Sequence, residues 1–167
     1  DVACSIRYPK TAAAEISREL QPIELGKSET LRTGTDGTIV VCGVSLANAL
    51  EAAEILQSEG LDVGVVNARF VKPIDTDMIR QTLANSKFVI TVEEANLMGG
   101  FGSAFLESAN EMGLNASKVR RIGIPDEFVE HQSRPEVLAS LKLDTAGIAE
   151  TCRAAAKNTQ LKPHVAS

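Results

Sequence analysis

The sequence has no apolar run approaching the ~18 residues of a membrane span, no pair of cysteines at C-x-x-C spacing and no excess of positive charge. Each absence removes a class of function. With 17 Lys and Arg against 22 Asp and Glu, the net charge is -5. That balance argues against a nucleic-acid or anionic-membrane partner, because counterion release needs a basic face. Cys4, Cys42 and Cys152 are odd in number and lack metal-ligand spacing, so neither a disulfide framework nor a zinc site is expected. Cys42 falls in a strand pattern and Cys152 on a helix face, where a thiol behaves as a small hydrophobe. His131 and His164 have no second histidine, cysteine or acid at ligand spacing, so no metal site is expected at either. The first residues lack a signal-peptide layout, and a reduced, cytoplasmic setting is the expectation. What is present is ordinary: 167 residues, 44% hydrophobic and 23% charged, enough for one domain that buries roughly two-thirds of its unfolded surface.

From Thr38 onward, β-branched runs alternate with helical patterns. This is the signature of βαβ units, and it predicts an α/β fold: a three-layer α/β/α sandwich around a mostly parallel, mixed sheet of about five strands. Strands are expected at residues 38–43, 63–67, 88–92 and 119–123, and an antiparallel edge strand at 29–32. Leu46, Ala49, Leu50, Ala53 and Leu56 recur at helical spacing, with Gly60 where a C-terminal cap belongs. Asp75 is the expected N-cap of a helix that buries Met78, Ile79 and Leu83. A third helix follows the glycine-rich loop and uses Phe105, Leu106, Ala109 and Met112. Ser133 and Glu136 form a capping box, and a last helix after Asp144 buries Ile148, Ala149 and Cys152. Before Thr38, residues 5–9 look like a single strand and 12–20 like a short helix. A lone strand cannot bury its own face, so this segment is expected to belong to a preceding domain, making the chain a piece of a longer polypeptide.

Four groups of residues could carry chemistry. The loop Met98-Gly99-Gly100-Phe101-Gly102-Ser103 lies between a strand end and a helix start, where backbone N–H groups favour an anion. It matches neither G-x-G-x-x-G nor the P-loop, so a tight turn packed against a neighbouring domain is the favoured reading and a phosphate cradle the alternative. Glu93 and Glu94 are adjacent at a strand end, so they face opposite ways unless the strand has already stopped. Ion pairing, with Arg69 as partner of one of them, is favoured over acid/base work. His131 would act only if the fold brought a Ser or Cys to it. Arg7 and Lys10, three residues apart, could meet one phosphate or simply form a basic strand tip.

Residues 67–75, Asn-Ala-Arg-Phe-Val-Lys-Pro-Ile-Asp, precede Thr91-Val92-Glu93-Glu94, the glycine-rich loop and Gly123-Ile124-Pro125-Asp126-Glu127-Phe128-Val129-Glu130-His131. In that order and spacing these blocks resemble the C-terminal domain of the 1-deoxy-D-xylulose-5-phosphate synthases, thiamine-diphosphate enzymes of the transketolase superfamily. The resemblance runs from about Ser5 to about Ala156. It implies that residues 1–25 are the end of a pyrimidine-binding domain and a linker, 26–158 a transketolase C-terminal-like domain and 159–167 a tail. It also implies a magnesium-dependent, homodimeric, cytoplasmic parent enzyme that condenses pyruvate with glyceraldehyde 3-phosphate and releases carbon dioxide. The family's cofactor-binding elements are not found in these residues. No catalytic residue is therefore expected here, and neither thiamine diphosphate nor magnesium is expected to bind this piece alone. The expected partners are the upstream domains of the same polypeptide and a second copy. Arg7 and Lys10 would approach the acceptor phosphate, with Lys10-Thr11 standing where Arg-Gly is usual. Arg69, Glu93, Glu94, Gly99, Gly100, Gly102 and His131 would serve structure or an interface. The C-terminal domain of a transketolase or of a 2-oxo acid dehydrogenase beta subunit, and a stand-alone ligand-binding or interaction module, remain the competing readings.

Overall fold

The computed structural model describes residues 3, 15–19 and 21–160. The uncharged β-branched runs become the inner strands. β2 (Gly37–Cys42), β3 (Val63–Asn67) and β4 (Phe88–Asn96) are flanked at the edges by β1 (Glu29–Arg32) and β5 (Val119–Ile124), in the order β1-β3-β2-β4-β5. β1 runs antiparallel to β3, and every other neighbour is parallel. β1 is only 4 residues long and its register slips between Thr30 and Arg32, a short and irregular edge that discourages further pairing.

Period-two alternation assigns the two faces of the sheet. Ile39, Val41, Phe88, Ile90 and Val92 face α1 (Leu46–Ser58) and α5 (Thr145–Gln160), whereas Val40, Val66 and Val89 face α2 (Thr76–Asn85) and α3 (Phe101–Glu111). A seven-residue α4 (Arg134–Ser140) precedes α5. The result is the expected three-layer sandwich with a five-stranded mixed sheet.

The chain's punctuation follows its capping chemistry. Asp75 caps α2 through Met78 N–H at 3.1 Å, Ser133 and Glu136 close a capping box on α4, and Gly60 turns left-handed at φ +84 after α1. Cys152 is buried and Cys42 half-buried, and burial pushes both thiols above their ordinary value.

Three expectations need correction. β4 does not stop at Val92 but continues through Glu93 and Glu94 to Asn96, which pairs with Ile124. Gly102 is not in a loop, because α3 already begins at Phe101. Residues 15–19 have no regular structure, so within the described part the short helix is absent. The expected strand at 5–9, together with Cys4, Arg7, Lys10 and His164, lies outside the described residues.

Candidate functional site

β2 connects through α1 to β3 on one side and lies against β4 on the other, so the chain diverges at the carboxyl ends of β2 and β4. Open α/β sheets leave a crevice at such a point. A cleft of about 530 Å³ occupies it, lined by Cys42, Gly43 and Val44 after β2, by Glu93 and Glu94 of β4, and by Gly99 and Gly100.

Glu93 belongs to the same face of β4 as Val89 and Thr91, the face covered by α3. Its carboxylate is 2% exposed. It accepts Phe101 N–H at 2.5 Å and Gly102 N–H at 2.8 Å, the first free donors of α3. A helix N-terminus favours an anion through its unpaired donors and its dipole, and here the anion is the chain's own side chain. Gly100 makes this possible, since a Cβ there would collide with the Glu93 carboxylate and the Asn96 carbonyl. Gly99, at φ +73, supplies the left-handed turn that precedes it.

Three further groups fix the loop. Ser103 Oγ donates to Leu97 O at 2.8 Å and accepts Gly99 N–H at 3.1 Å. Arg121 from β5 donates to Leu97 O at 2.6 Å and to Ser103 Oγ at 2.9 Å. Neither Ser103 nor Arg121 stands out in the sequence as a site residue; only their place in the loop and on the neighbouring strand hinted at the contact.

Glu94 points to the other face. It accepts Arg134 at 2.5 Å and, more weakly, the Ser45 hydroxyl at 3.4 Å, joining β4 to α4 and to the start of α1. The two carboxylates therefore diverge, as strand alternation requires, and do not form an acid/base pair. Arg69 does not pair with either of them. It sits at φ +58 and binds Glu29 of β1 at 3.0 Å, and the same glutamate accepts Arg18 at 3.1 Å. The cause is topological: β1 intervenes on the β3 side, so the nearest carboxylate to Arg69 comes from that edge strand. His131 is exposed in the segment between β5 and α4 and is not among the residues lining the cleft.

An apolar rim runs along the carboxyl ends of the parallel strands, and two of its members, Val44 and Val71, line the cleft. Each parallel strand ends in a segment bearing an exposed hydrophobe: Val44 after β2, Val71 after β3, Met98 after β4, and Phe128 with Val129 after β5. Phe128 is fully exposed. The segment preceding β1 reaches the same edge, because Glu29 pairs with Asn67 at the carboxyl end of β3. A magnesium diphosphate does not fit here. The N–H groups of α3 are already taken by a carboxylate, and the described residues contain no group of three potential metal ligands.

Residues 26–148 match the family model described as transketolase, C-terminal domain. Among curated proteins, the chain is 52% identical over 156 residues to the 1-deoxy-D-xylulose-5-phosphate synthase of Rhodopirellula baltica, covering 93% of this chain and 24% of that protein. It is 43% identical to 1-deoxy-D-xylulose-5-phosphate synthase 1 of Geobacter sulfurreducens, covering 92% of this chain and 24% of that one. The chain thus spans about a quarter of the length of these relatives. Among solved structures, a split-gene transketolase described as an inactive beta4 tetramer superposes with a TM-score of 0.73 at 33% identity, over 81% of this chain and 44% of that one. A Pichia stipitis transketolase superposes with a TM-score of 0.57 at 17% identity, over 82% of this chain and 19% of that one, a likeness of fold alone.

Proposed function

Since this chain belongs to the transketolase C-terminal domain family, we propose that it is the C-terminal domain of a 1-deoxy-D-xylulose-5-phosphate synthase. In that setting it docks on the upstream domains and on a second copy, in a cytoplasmic homodimer. The parent enzyme condenses pyruvate with glyceraldehyde 3-phosphate, and thiamine diphosphate with magnesium supplies the electron sink when bound to the upstream domains. The residues present here contribute architecture. The observation that carries this reading is the apolar rim of Val44, Val71, Met98, Phe128 and Val129 at the edge where the upstream chain arrives. An exposed apolar patch rimmed by polar groups is the mark of an interaction surface. In this proposal residues 1–25 close the preceding domain, 26–158 form the docking domain and 159–167 a tail, although α5 runs on to Gln160. Arg7 and Lys10 lie beside the acceptor phosphate. Arg69, Glu93, Glu94, Gly99, Gly100, Gly102 and His131 shape the interface.

The test uses the full-length gene product. Turnover of pyruvate with glyceraldehyde 3-phosphate to 1-deoxy-D-xylulose 5-phosphate is the expected result. Turnover with ketose donors alone would place the chain in a transketolase instead, a reading kept open by the split-gene transketolase at 33% identity and made secondary by the synthase at 52%. Within the full enzyme, Lys10→Ala is expected to raise KM for glyceraldehyde 3-phosphate by about tenfold, the loss of one charge-assisted phosphate contact, and to leave KM for pyruvate nearly unchanged. Equal changes in the two KM values would remove Lys10 from the phosphate site.

A further inference from the structure

The opposite edge of the sheet carries a different surface. A pocket of about 290 Å³ lies between the end of α2, the turn after α3 and the residues that lead into β5. Its lining includes Arg80, Leu83, Leu114, Asn115, Ser117 and Lys118, with no carboxylate among them. Neither Arg80 nor Lys118 takes part in an ion pair among the described residues.

Among the described residues, both cations keep donors free. The Arg80 guanidinium gives one N–H to Met112 Sδ at 3.3 Å, a weak acceptor. Lys118 Nζ gives one to Ser86 O at 2.6 Å, which anchors the ammonium at the pocket wall and leaves two protons unspent. Burial lowers the Lys118 pKa from its ordinary value, and no carboxylate opposes that shift. A bound anion would restore what burial removes. Beside the two charges, Leu83 and Leu114 provide apolar wall.

We propose that this pocket is a binding site for a small organic phosphate, its dianionic head held by Arg80 and Lys118 and its apolar body resting on Leu83 and Leu114. Two unpaired cations match the charge of a phosphomonoester better than that of a monocarboxylate. A guanidinium and an ammonium together offer a fork and a point charge to one phosphate. The apolar wall separates an organic phosphate from the inorganic ion. The site lies at the amino ends of β4 and β5, away from the apolar rim, so it stands independently of the docking role.

The proposal is tested by titrating the ¹⁵N-labelled 167-residue chain with phenyl phosphate and, separately, with inorganic phosphate. The expected result is saturable movement of the Asn115, Ser117 and Lys118 amides, with phenyl phosphate binding at least about tenfold more tightly than the inorganic ion. Arg80→Gln and Lys118→Gln are each expected to weaken binding by about tenfold, and Lys118→Arg to restore most of it. Non-saturating shifts, equal binding of the two probes, or binding unaffected by Arg80→Gln would overturn the assignment. Arg80 is exposed, so its replacement remains decisive even if Lys118→Gln disturbs the fold.

Discussion

Glu93 determines what the glycine-rich loop can do. A buried carboxylate that accepts two backbone N–H groups at 2.5 and 2.8 Å holds the start of α3 against β4 and closes that helix end to any external anion. Replacing it with glutamine keeps the shape but swaps an anion with two acceptor oxygens for a single carbonyl and an NH₂ group that faces another donor. Glu93→Gln is therefore expected to lower the unfolding free energy by about 1–3 kcal/mol, read as a shift in urea midpoint at constant slope. The neighbouring Thr91 gives the opposite case. Its hydroxyl is fully buried beside Gly102 and has no hydrogen-bond partner among the described residues. Thr91→Val removes an unsatisfied oxygen at nearly constant volume, so stability is expected to hold or rise; a loss above about 1 kcal/mol would mean that the hydroxyl has a partner in solution. At this scale the sequence made the opposed directions of Glu93 and Glu94 conditional on the strand reaching them, because alternation is a local property of a strand, and it is the extension of β4 to Asn96 that meets the condition. It did not reveal Arg134 as the partner of Glu94 or Glu29 as the partner of Arg69, since those pairs span about 40 residues and depend on where loops return.

Among the elements, Asp75 shows how a capping residue also fixes an edge. Its carboxylate caps α2 through Met78 N–H and also accepts Ser28 N–H at 2.8 Å and Ser28 Oγ at 2.9 Å, tying the lead-in of β1 to α2. Burial pushes this carboxyl's pKa up, but the Ser28 and Met78 N–H groups, the Ser28 hydroxyl and the Lys27 charge outweigh it and leave the pKa lowered. At the other end of the sheet, the Lys87 ammonium foremost lowers Asp36, and the Thr35 N–H foremost lowers Asp62. A carboxylate whose folded pKa lies below its unfolded value, ~3.9 for aspartate, leaves the unfolded chain with more bound protons in acid. Its contribution is complete above the unfolded value and is lost as pH falls through the folded one. Asp75→Asn is expected to cost about 1–2 kcal/mol at pH 7, with the gap from wild type narrowing below about pH 4. Urea midpoints measured from pH 3 to pH 7 check it, and a constant gap would deny the charge its role. The cap itself was legible, as were Ser133 with Glu136 and the left-handed Gly60, because capping depends on residues three or four apart. The end of β4 was not. Glu93, Glu94 and Asn96 are poor strand formers, and the α3 donors, the pairing of Glu93 with Cys42 and that of Asn96 with Ile124 carry the strand past Val92.

For the molecule as a whole, the two edges of the sheet differ in their exposed apolar surface. Both edges bear ion pairs, Asp36 with Lys87 and Arg32 with Asp62 at the amino edge and Glu29 with Arg69 and Glu94 with Arg134 at the carboxyl edge, but only the carboxyl edge also bears Val44, Val71, Met98 and Phe128 in the open. Alternating β-branched runs and helical spacings made the three-layer fold legible. The apolar rim was not, because each of its members sits alone in the sequence and only the parallel arrangement of β2, β3, β4 and β5 collects them on one side. Phe128 is the sharpest probe of that edge. A side chain that is fully exposed contributes almost nothing to the domain's own stability, so Phe128→Asp in the 167-residue chain is expected to change the unfolding free energy by less than about 0.5 kcal/mol. On the proposed docking role, the same aromatic would be, in the full-length protein, the kind of anchor that costs about 2 kcal/mol or more when truncated within a covered interface. There, Phe128→Asp is expected to weaken self-association by about thirtyfold or more, seen by sedimentation, and to lower kcat with it. If the full-length variant assembles and turns over like the unaltered enzyme while the isolated domain stays folded, the carboxyl edge is not the docking face.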